Sequence, residues 1–335
     1  MFVCSHKRSS TAHALHCLKG TVNYYVNNGS RVFCAFLDAS KAFDRIVHAG
    51  LFLKMIKRKV PFLFLTIIMS WYTGLECRVK WEEHFSDWFA VTAGVRQGGV
   101  LSPNFYCIYV DDLIGVLKAL GIGCHYVGIF AAALFYADDI AILAPSIKAI
   151  STLLNACSEY CKYWDICLNP KKSRLMYFGK RTEIRHQIHL NGKPVEWTDS
   201  WVYLGVTLNS SKVFNCSVTE QVKKFYRSAN GIFRIEGRSN DIVMLRLMEA
   251  HCVPILTYGI EIVHINDRDE RRQLRVAYNS IFRKLFGYRQ YESVTNLQGF
   301  LGRPTWEQLV EKRVANFERR IRDLEANDLA RALLF

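Results

Sequence analysis

Ile129-Phe-Ala-Ala-Ala-Leu-Phe-Tyr136 is an apolar and aromatic run that stops at Ala137-Asp138-Asp139 and resumes as Ile140-Ala-Ile-Leu143. Two apolar runs of strand length, broken by an acidic pair, predict a hairpin with the acids at its tip. Upstream, Val32-Phe-Cys-Ala-Phe-Leu37 has the continuous apolar composition of a buried strand and ends at Asp38. A strand ending at Asp38 and lying beside the hairpin brings three carboxylates to one rim. Like charges gathered there are unfavourable without a cation, and hard carboxylate oxygens suit Mg²⁺. Two such ions about 3.5–4 Å apart support in-line displacement at phosphorus. Solvated turn acids are the other reading of the same three residues.

Outward from these strands, Ala39 to Arg58 shows helical spacing, with Phe43, Val47 and Leu51 on one face. Arg78 to Trp81 and Trp88 to Thr92 are expected as strands around the polar stretch Glu82 to Asp87, and Ser102-Pro103 opens a helix running through Leu113. Ile147 to Trp164 reads as an amphipathic helix and Leu175 to Phe178 as a strand. Ile188 to Leu190 and Pro194 to Trp197 form a small hairpin, because Asn191-Gly192 favours its turn. From Ser217 the pattern becomes mostly helical, and residues 211–335 hold 21 Lys and Arg against 15 acids, a mildly basic region.

The 335 residues, 50% hydrophobic and 22% charged, are enough to bury a sizeable core. They exclude a disordered tail, a collagenous rod and a small disulfide scaffold. Lys and Arg outnumber Asp and Glu by 44 to 30, and a balance of +14 raises the expectation of a polyanionic partner. Eleven cysteines without regular spacing read as reduced thiols. Cys157 with Cys161, and His13, His16 and Cys17, lack a second pair at zinc-finger spacing and are read as packing residues. Met1 to Ser10 is polar and basic, so no cleavable leader is expected. The apolar run Val60 to Tyr72 falls short of the roughly 20 residues a span needs, and Val127 to Ala144 is interrupted by Asp138 and Asp139, so no membrane partner is expected.

Five segments, in order, resemble the reverse transcriptase domain of non-LTR retrotransposons of the long interspersed element type. They are Ala35-Phe-Leu-Asp-Ala-Ser-Lys-Ala-Phe-Asp44, Gly94-Val-Arg-Gln-Gly-Gly-Val-Leu-Ser-Pro103, Phe135-Tyr-Ala-Asp-Asp-Ile-Ala-Ile-Leu143, Leu168-Asn-Pro-Lys-Lys-Ser173 and Tyr203-Leu-Gly-Val206. They match that family's F-L-D-x-x-K-A-F-D, R-Q-G-x-x-L-S-P, Y-A-D-D, L-N-x-x-K-T and Y-L-G blocks, with Ser173 where the family has Thr. The resemblance covers residues 1 to about 210 well. Beyond, it continues more loosely through Pro254-Ile-Leu-Thr-Tyr-Gly259 and Ala277-Tyr-Asn-Ser-Ile-Phe-Arg-Lys-Leu-Phe286.

The resemblance implies an α+β fold: a right-hand polymerase palm, an antiparallel sheet with packed helices, followed by a helical thumb-like region. Residues 1–30 are then the lead-in to the palm, a remnant of the fingers, with 31–210 the palm and 211–335 the thumb-like region. It also implies RNA-directed DNA polymerase activity, with RNA template, DNA primer and deoxynucleoside triphosphates as partners and two Mg²⁺ as cofactors. Asp38, Asp138 and Asp139 would be the metal ligands and Lys172 a cation near the leaving pyrophosphate. Phe43 would lie beneath the incoming sugar, where its ring would strike a ribose 2′-hydroxyl. Arg96, Gln97, Gly98 and Gly99 would line nucleotide and template, Tyr136 would reach the primer end, and Asp44 would support from behind. Read alone, the same residues are a core aromatic, a glycine turn, a strand aromatic and solvated basic groups. Arg271, Arg272, Arg275, Arg283 and Lys284 are candidates for duplex phosphates or an ordinary solvated helix face. Residence would be nuclear or cytoplasmic.

One departure qualifies the expectation. About 37 residues precede Asp38; His6 to Ala12 resembles the end of the fingers, so the earlier finger strands with their triphosphate-binding cations, an endonuclease-like domain and a zinc knuckle are not expected in this sequence. Each lost charge-assisted hydrogen bond is worth about 1.5–3 kcal/mol. The chain is therefore expected as an N-terminally truncated product, with an apolar face or sheet edge left uncovered. The alternative to a working polymerase is a catalytically silent nucleic-acid-binding remnant, and a weaker third is a protein-interaction scaffold.

Overall fold

The computed structural model describes residues 10–180, 186–236, 240–262, 268–323 and 328–334. His6 to Ser9 of the expected lead-in lie outside the described residues. The chain divides into two compact units, one containing Tyr24–Thr198 and the other Ser10–Asn23 with Asp199–Phe335.

The first unit is built on a seven-stranded sheet. Its main path runs Ile188–Leu190, Lys193–Trp197, Arg174–Phe178, Val32–Ser40, Asp139–Ala144, Ala133–Tyr136, and Cys167–Leu168 pairs with the far end of Val32–Ser40. Every pair is antiparallel except Arg174–Phe178 with Lys193–Trp197. Val32–Ser40 has neighbours on both edges, and Val32 to Leu37 are all buried. That two-sided burial explains an unbroken apolar run where a half-exposed strand would alternate. The helix Ile147–Tyr163 covers the sheet. Ile150, Leu153, Leu154, Cys157 and Cys161 recur at helical spacing on its buried side, and Ser146 Oγ caps its start by accepting from the Ala149 N–H at 3.2 Å. His48–Lys57 and Ser102–Val110 add Leu51, Met55, Phe105, Tyr106 and Tyr109 to the same core.

The helix expected from Ala39 begins only at His48. Ala39 and Ser40 continue the strand by pairing with Leu168 and Cys167, and Lys41 then takes a left-handed φ of 53°. The backbone of 43–46 is engaged by another segment: the Val95 N–H donates to Phe43 O and the Gly94 N–H to Ile46 O, both at 2.8 Å. Val47, expected on the buried face, instead bridges to Ala93 and is exposed. Tertiary backbone pairing overrode a helical pattern carried by three residues.

A lysine occupies the core beneath these helices. Lys54 Nζ bonds the Tyr109 carbonyl, donates to Tyr160 Oη at 2.5 Å, lies 3.9 Å over the Trp164 ring and pairs with Asp112 at 3.3 Å. Burial outweighs the attraction of Asp112 and pushes its pKa down to about 8. The apolar run Val60 to Tyr72 becomes the helix Phe62–Tyr72. It buries Leu65, Ile68 and Tyr72, while Phe62, Leu63, Phe64, Ile67, Met69 and Trp71 are exposed. The next segment forms two short ladders, Glu76–Cys77 with Phe89–Ala90 and Lys80–Trp81 with His84–Phe85. Among the described residues no helix is long and apolar enough to cross a membrane.

In the second unit, Ser200–Tyr203, Val206–Asn209 and Asn215–Ser217 form a three-stranded sheet. Leu204 and Gly205 turn between the first two with positive φ, and Tyr258 Oη holds the turn by donating to Leu204 O at 2.8 Å. Helices Thr219–Glu236, Asp241–His251, Arg268–Phe286 and Trp306–Arg322 follow, the last opened by a reciprocal capping box of Thr305 and Gln308. His13 and Cys17 are buried here, with His13 stacked on Phe317 at 5.4 Å. Desolvation pushes the His16 pKa down to about 4, so the ring packs neutral.

Candidate active site

Two strands and the turn of a hairpin deliver the acids. Asp38 and Asp139 are direct partners in the ladder between Val32–Ser40 and Asp139–Ala144, and Asp139 also faces Tyr136 across the hairpin. The hairpin turn is Ala137-Asp138, with Ala137 held at a φ of 51°. A non-glycine residue in the left-handed region carries a cost of order 1 kcal/mol, which the flanking ladders impose here. Asp138 and Asp139 are exposed and Asp38 is half-buried.

The other two carboxylates act on Asp139. Solvent reaches Asp139, yet the surrounding chain strips water from its carboxylate. That desolvation, with the charges of Asp138 and then Asp38, pushes its pKa up to about 6. Hard oxygen donors, mutually repelling, are what a divalent cation such as Mg²⁺ relieves. Among the described residues, no three His, Cys, Asp or Glu side chains are already gathered as closely as a metal ion would draw them.

Asp38 is fixed from the opposite side by the Leu168–Ser173 segment. The Asn169 N–H donates to Asp38 O at 2.9 Å, and the Asp38 N–H donates to Ser173 Oγ at 3.3 Å. Ser173 is fully buried and its hydroxyl donates in turn to Asn169 O at 2.8 Å. A serine in place of threonine therefore keeps the hydroxyl that this contact uses. The Lys172 N–H closes the turn onto Asn169 O, and its side chain is exposed.

The Gly94–Pro103 segment lies along the other side of 43–46. Gly98 has a φ of 78° and nothing within 4 Å of where a Cβ would stand. Gly99 differs: a Cβ there would lie 2.7 Å from Ser102 Oγ and 3.0 Å from Arg96 O, so the turn itself demands its glycine. Ser102 Oγ donates to Arg96 O at 2.5 Å, and Arg96 and Gln97 are exposed. Gln97 Nε2 donates to Asp44 Oδ1 at 2.8 Å. Phe43 is half-buried, its ring 5.3 Å from that of Tyr106, and Tyr136 is half-buried on the hairpin. Phe43, Gln97, Gly98, the acids and the Lys172 loop thus all belong to the first unit.

The basic candidates lie in the second unit. Arg271, Arg272 and Arg275 line a cavity of about 450 Å³ together with Trp306. Arg275 pairs with Glu307 at 3.7 Å, Arg283 Nε donates to Glu292 O, and Lys284 Nζ donates to Asn230 Oδ1 and lies 3.9 Å over the Phe233 ring. Two contributors escaped the sequence: Ser173, whose hydroxyl is invisible without the fold, and the Asp44–Gln97 bond. The signal for the second was there in principle, since both residues stand in the two blocks nearest the acids.

Residues 5–208 match the family described as reverse transcriptase (RNA-dependent DNA polymerase). The chain is 26% identical over 336 residues to a probable RNA-directed DNA polymerase from transposon BS of Drosophila melanogaster, covering 97% of this chain and 36% of that protein. It is 27% identical over 307 residues to the RNA-directed DNA polymerase from mobile element jockey of Drosophila funebris, covering 89% and 33%. The chain spans about a third of the length of these curated relatives. Among solved structures, a Candida albicans telomerase in complex with a fragment of telomeric RNA aligns with 86% of this chain and 52% of its own, at 13% identity and a TM-score of 0.48.

Proposed function

We propose, from the premise that the chain belongs to the reverse transcriptase (RNA-dependent DNA polymerase) family, that it is the polymerase core of a non-LTR retrotransposon protein and performs RNA-templated DNA synthesis. The observation that carries this is the register of Asp38 against Asp139, with Asp138 beside them in the turn.

Asp38, Asp138 and Asp139 would hold two Mg²⁺. Bound there, the ions would make the primer hydroxyl a better nucleophile and neutralise charge on the leaving group. In the reaction a primer 3′-oxygen attacks the α-phosphorus of a deoxynucleoside triphosphate, and pyrophosphate leaves. Phe43, pinned against Tyr106, sits beneath the sugar and excludes a ribose 2′-hydroxyl. Gly98 leaves room for the chain to approach the nucleotide, with Gly99 shaping the turn that presents Arg96 and Gln97. Tyr136 bears on the primer end from the hairpin. Lys172, on the loop that fixes Asp38, places a cation or a proton donor for the departing pyrophosphate. The basic groups of the second unit take backbone phosphates without reading bases.

The test is extension of a DNA primer on an RNA template with Mg²⁺, using deoxynucleotides and then ribonucleotides. DNA product with strong preference for deoxynucleotides supports the reading. Salt-sensitive RNA binding without product favours a silent nucleic-acid-binding remnant. Neither product nor binding at low salt leaves a protein-interaction role.

A further inference from the structure

We infer that Asp44 is a positioning residue: its carboxylate holds the Gln97 side chain, and with it the Arg96–Gly99 turn, in place for nucleotide binding. This rests on the nucleotide-contacting role proposed above for Gln97.

The segments 43–48 and 93–97 are sewn together along their length. Val95 N–H donates to Phe43 O and Gly94 N–H to Ile46 O, while the buried His48 ring bonds Gly94 O through Nε2 at 2.7 Å. Gly94, at a φ of 93°, runs so close to Asp44 that a Cβ would stand 2.9 Å from the Asp44 carbonyl oxygen. These backbone contacts end at Val95. Past it the chain turns outward through Arg96, Gln97 and Gly98, all exposed. The Gln97–Asp44 bond at 2.8 Å carries the stitching one step further, from side chain to side chain.

Its chemistry is specific. A glutamine amide can present either its carbonyl or its NH₂ end, and an ionised carboxylate only accepts. Asp44 therefore binds the NH₂ end and fixes the Gln97 carbonyl on the opposite side. Asp44 also directly follows Phe43. The ring proposed to test the sugar and the amide proposed to line the nucleotide are thus set by consecutive residues of one turn. Asp44 follows Asp38, an acid proposed to hold metal, by six residues, yet its partner is an amide. That distinction is what the experiment must separate.

Primer extension is measured with Asp44→Ala, Gln97→Ala, the double variant and Asp44→Asn. Loss of one hydrogen bond is expected to raise the nucleotide KM about tenfold in each single alanine variant, with kcat within about twofold. The double variant should be no worse than the poorer single. Asp44→Asn retains an acceptor oxygen and should stay within about twofold of wild type. Additive losses, a fall in kcat alone, or an Asp44→Asn variant as impaired as Asp44→Ala would overturn the inference; the last would mean the charge itself is used. Amide hydrogen exchange of the nucleotide-free protein gives a reading independent of synthesis. Exchange at Gly99 should quicken in Asp44→Ala and not in Asp44→Asn, and unchanged exchange in Asp44→Ala overturns the tether. A wild-type chain that tethers its turn but makes no DNA sinks the polymerase reading alone.

Discussion

The two longest apolar runs of the sequence meet opposite fates. Within Val127 to Ala144, Ala133–Tyr136 and Asp139–Ala144 form a strand pair whose apolar residues are nearly all buried, Phe135, Ile140, Ile142 and Leu143 at 2% exposed or less, and of the run's apolar residues only Val127 at its start is left strongly exposed. Val60 to Tyr72, with no charge at all, ends as a helix that leaves Phe62 83% and Leu63 74% exposed. The strand pair is enclosed because Asp139–Ala144 has a neighbour on each edge and the helix Ile147–Tyr163 packs against it. The helix Phe62–Tyr72 has one buried side, Leu65, Ile68 and Tyr72, and among the described residues nothing buries Phe62, Leu63, Phe64, Ile67, Met69 or Trp71 on the rest. Composition states how much a segment gains from burial. Only the partners supplied by the fold decide whether that gain is realised. In the strand pair the charged residues stand at the rim, where their proposed part is chemistry rather than stability.

The largest break in that comparison should come from the acids. Asp38→Asn should lower extension by about 10²–10³-fold or more, and its thermal midpoint should hold. An equal fall in stability and activity would make Asp38 structural. Next come packing effects. Ile142→Ala in the buried strand should cost about 2–5 kcal/mol in urea unfolding, against under about 0.5 kcal/mol for Leu63→Ala on the exposed helix. Comparable costs would mean that the helix face is covered in solution.

Lys54 sharpens the contrast, because its helix buries a lysine while exposing Leu53 and Ile56. Unfolded, the lysine keeps its proton up to its ordinary value of 10.5; folded, it releases it near 8. The unfolded state therefore binds more protons between those values, and stability should rise with pH across that window by up to about 3 kcal/mol. Below pH 8 both states are protonated and the cost is constant. Lys54→Met should lack the rise, and an identical slope in both proteins would contradict it. The smallest effect should follow from replacing Phe62 and Leu63 together by serine. Stability should shift by under about 0.5 kcal/mol, with less self-association in sedimentation; an unfolded product would show that this face is core.

The central strands were legible because burial on both faces leaves an unbroken apolar run, but their ends were not: the first strand runs past Asp38 to Ser40, and the hairpin strand is Ala133–Tyr136, with Ile129–Phe130 pairing instead with His125–Tyr126. The convergence of the acids was expected only if that strand lay beside the hairpin; the register of Asp38 against Asp139 comes from the fold. Less was legible where the fold depends on distant backbone. The start of the helix at His48 is set by the pairing of Ala39 and Ser40 with Cys167 and Leu168 and by the 93–95 segment. The Asp44–Gln97 bond joins residues 53 apart in sequence, and Lys54 reads as a surface lysine until Tyr109, Tyr160 and Trp164 are brought around it. Such contacts leave no local period or propensity to detect.

The most direct test of the central claim is primer extension on an RNA template with Mg²⁺ by the intact chain and by Asp138→Ala, with RNA binding measured in parallel. Asp138 sits in an exposed turn, so its loss should leave folding and binding unchanged. DNA product is expected from the first protein and none from the second at equal RNA affinity. Product from both would contradict it, since synthesis would then not depend on the acid corner that the two strands build.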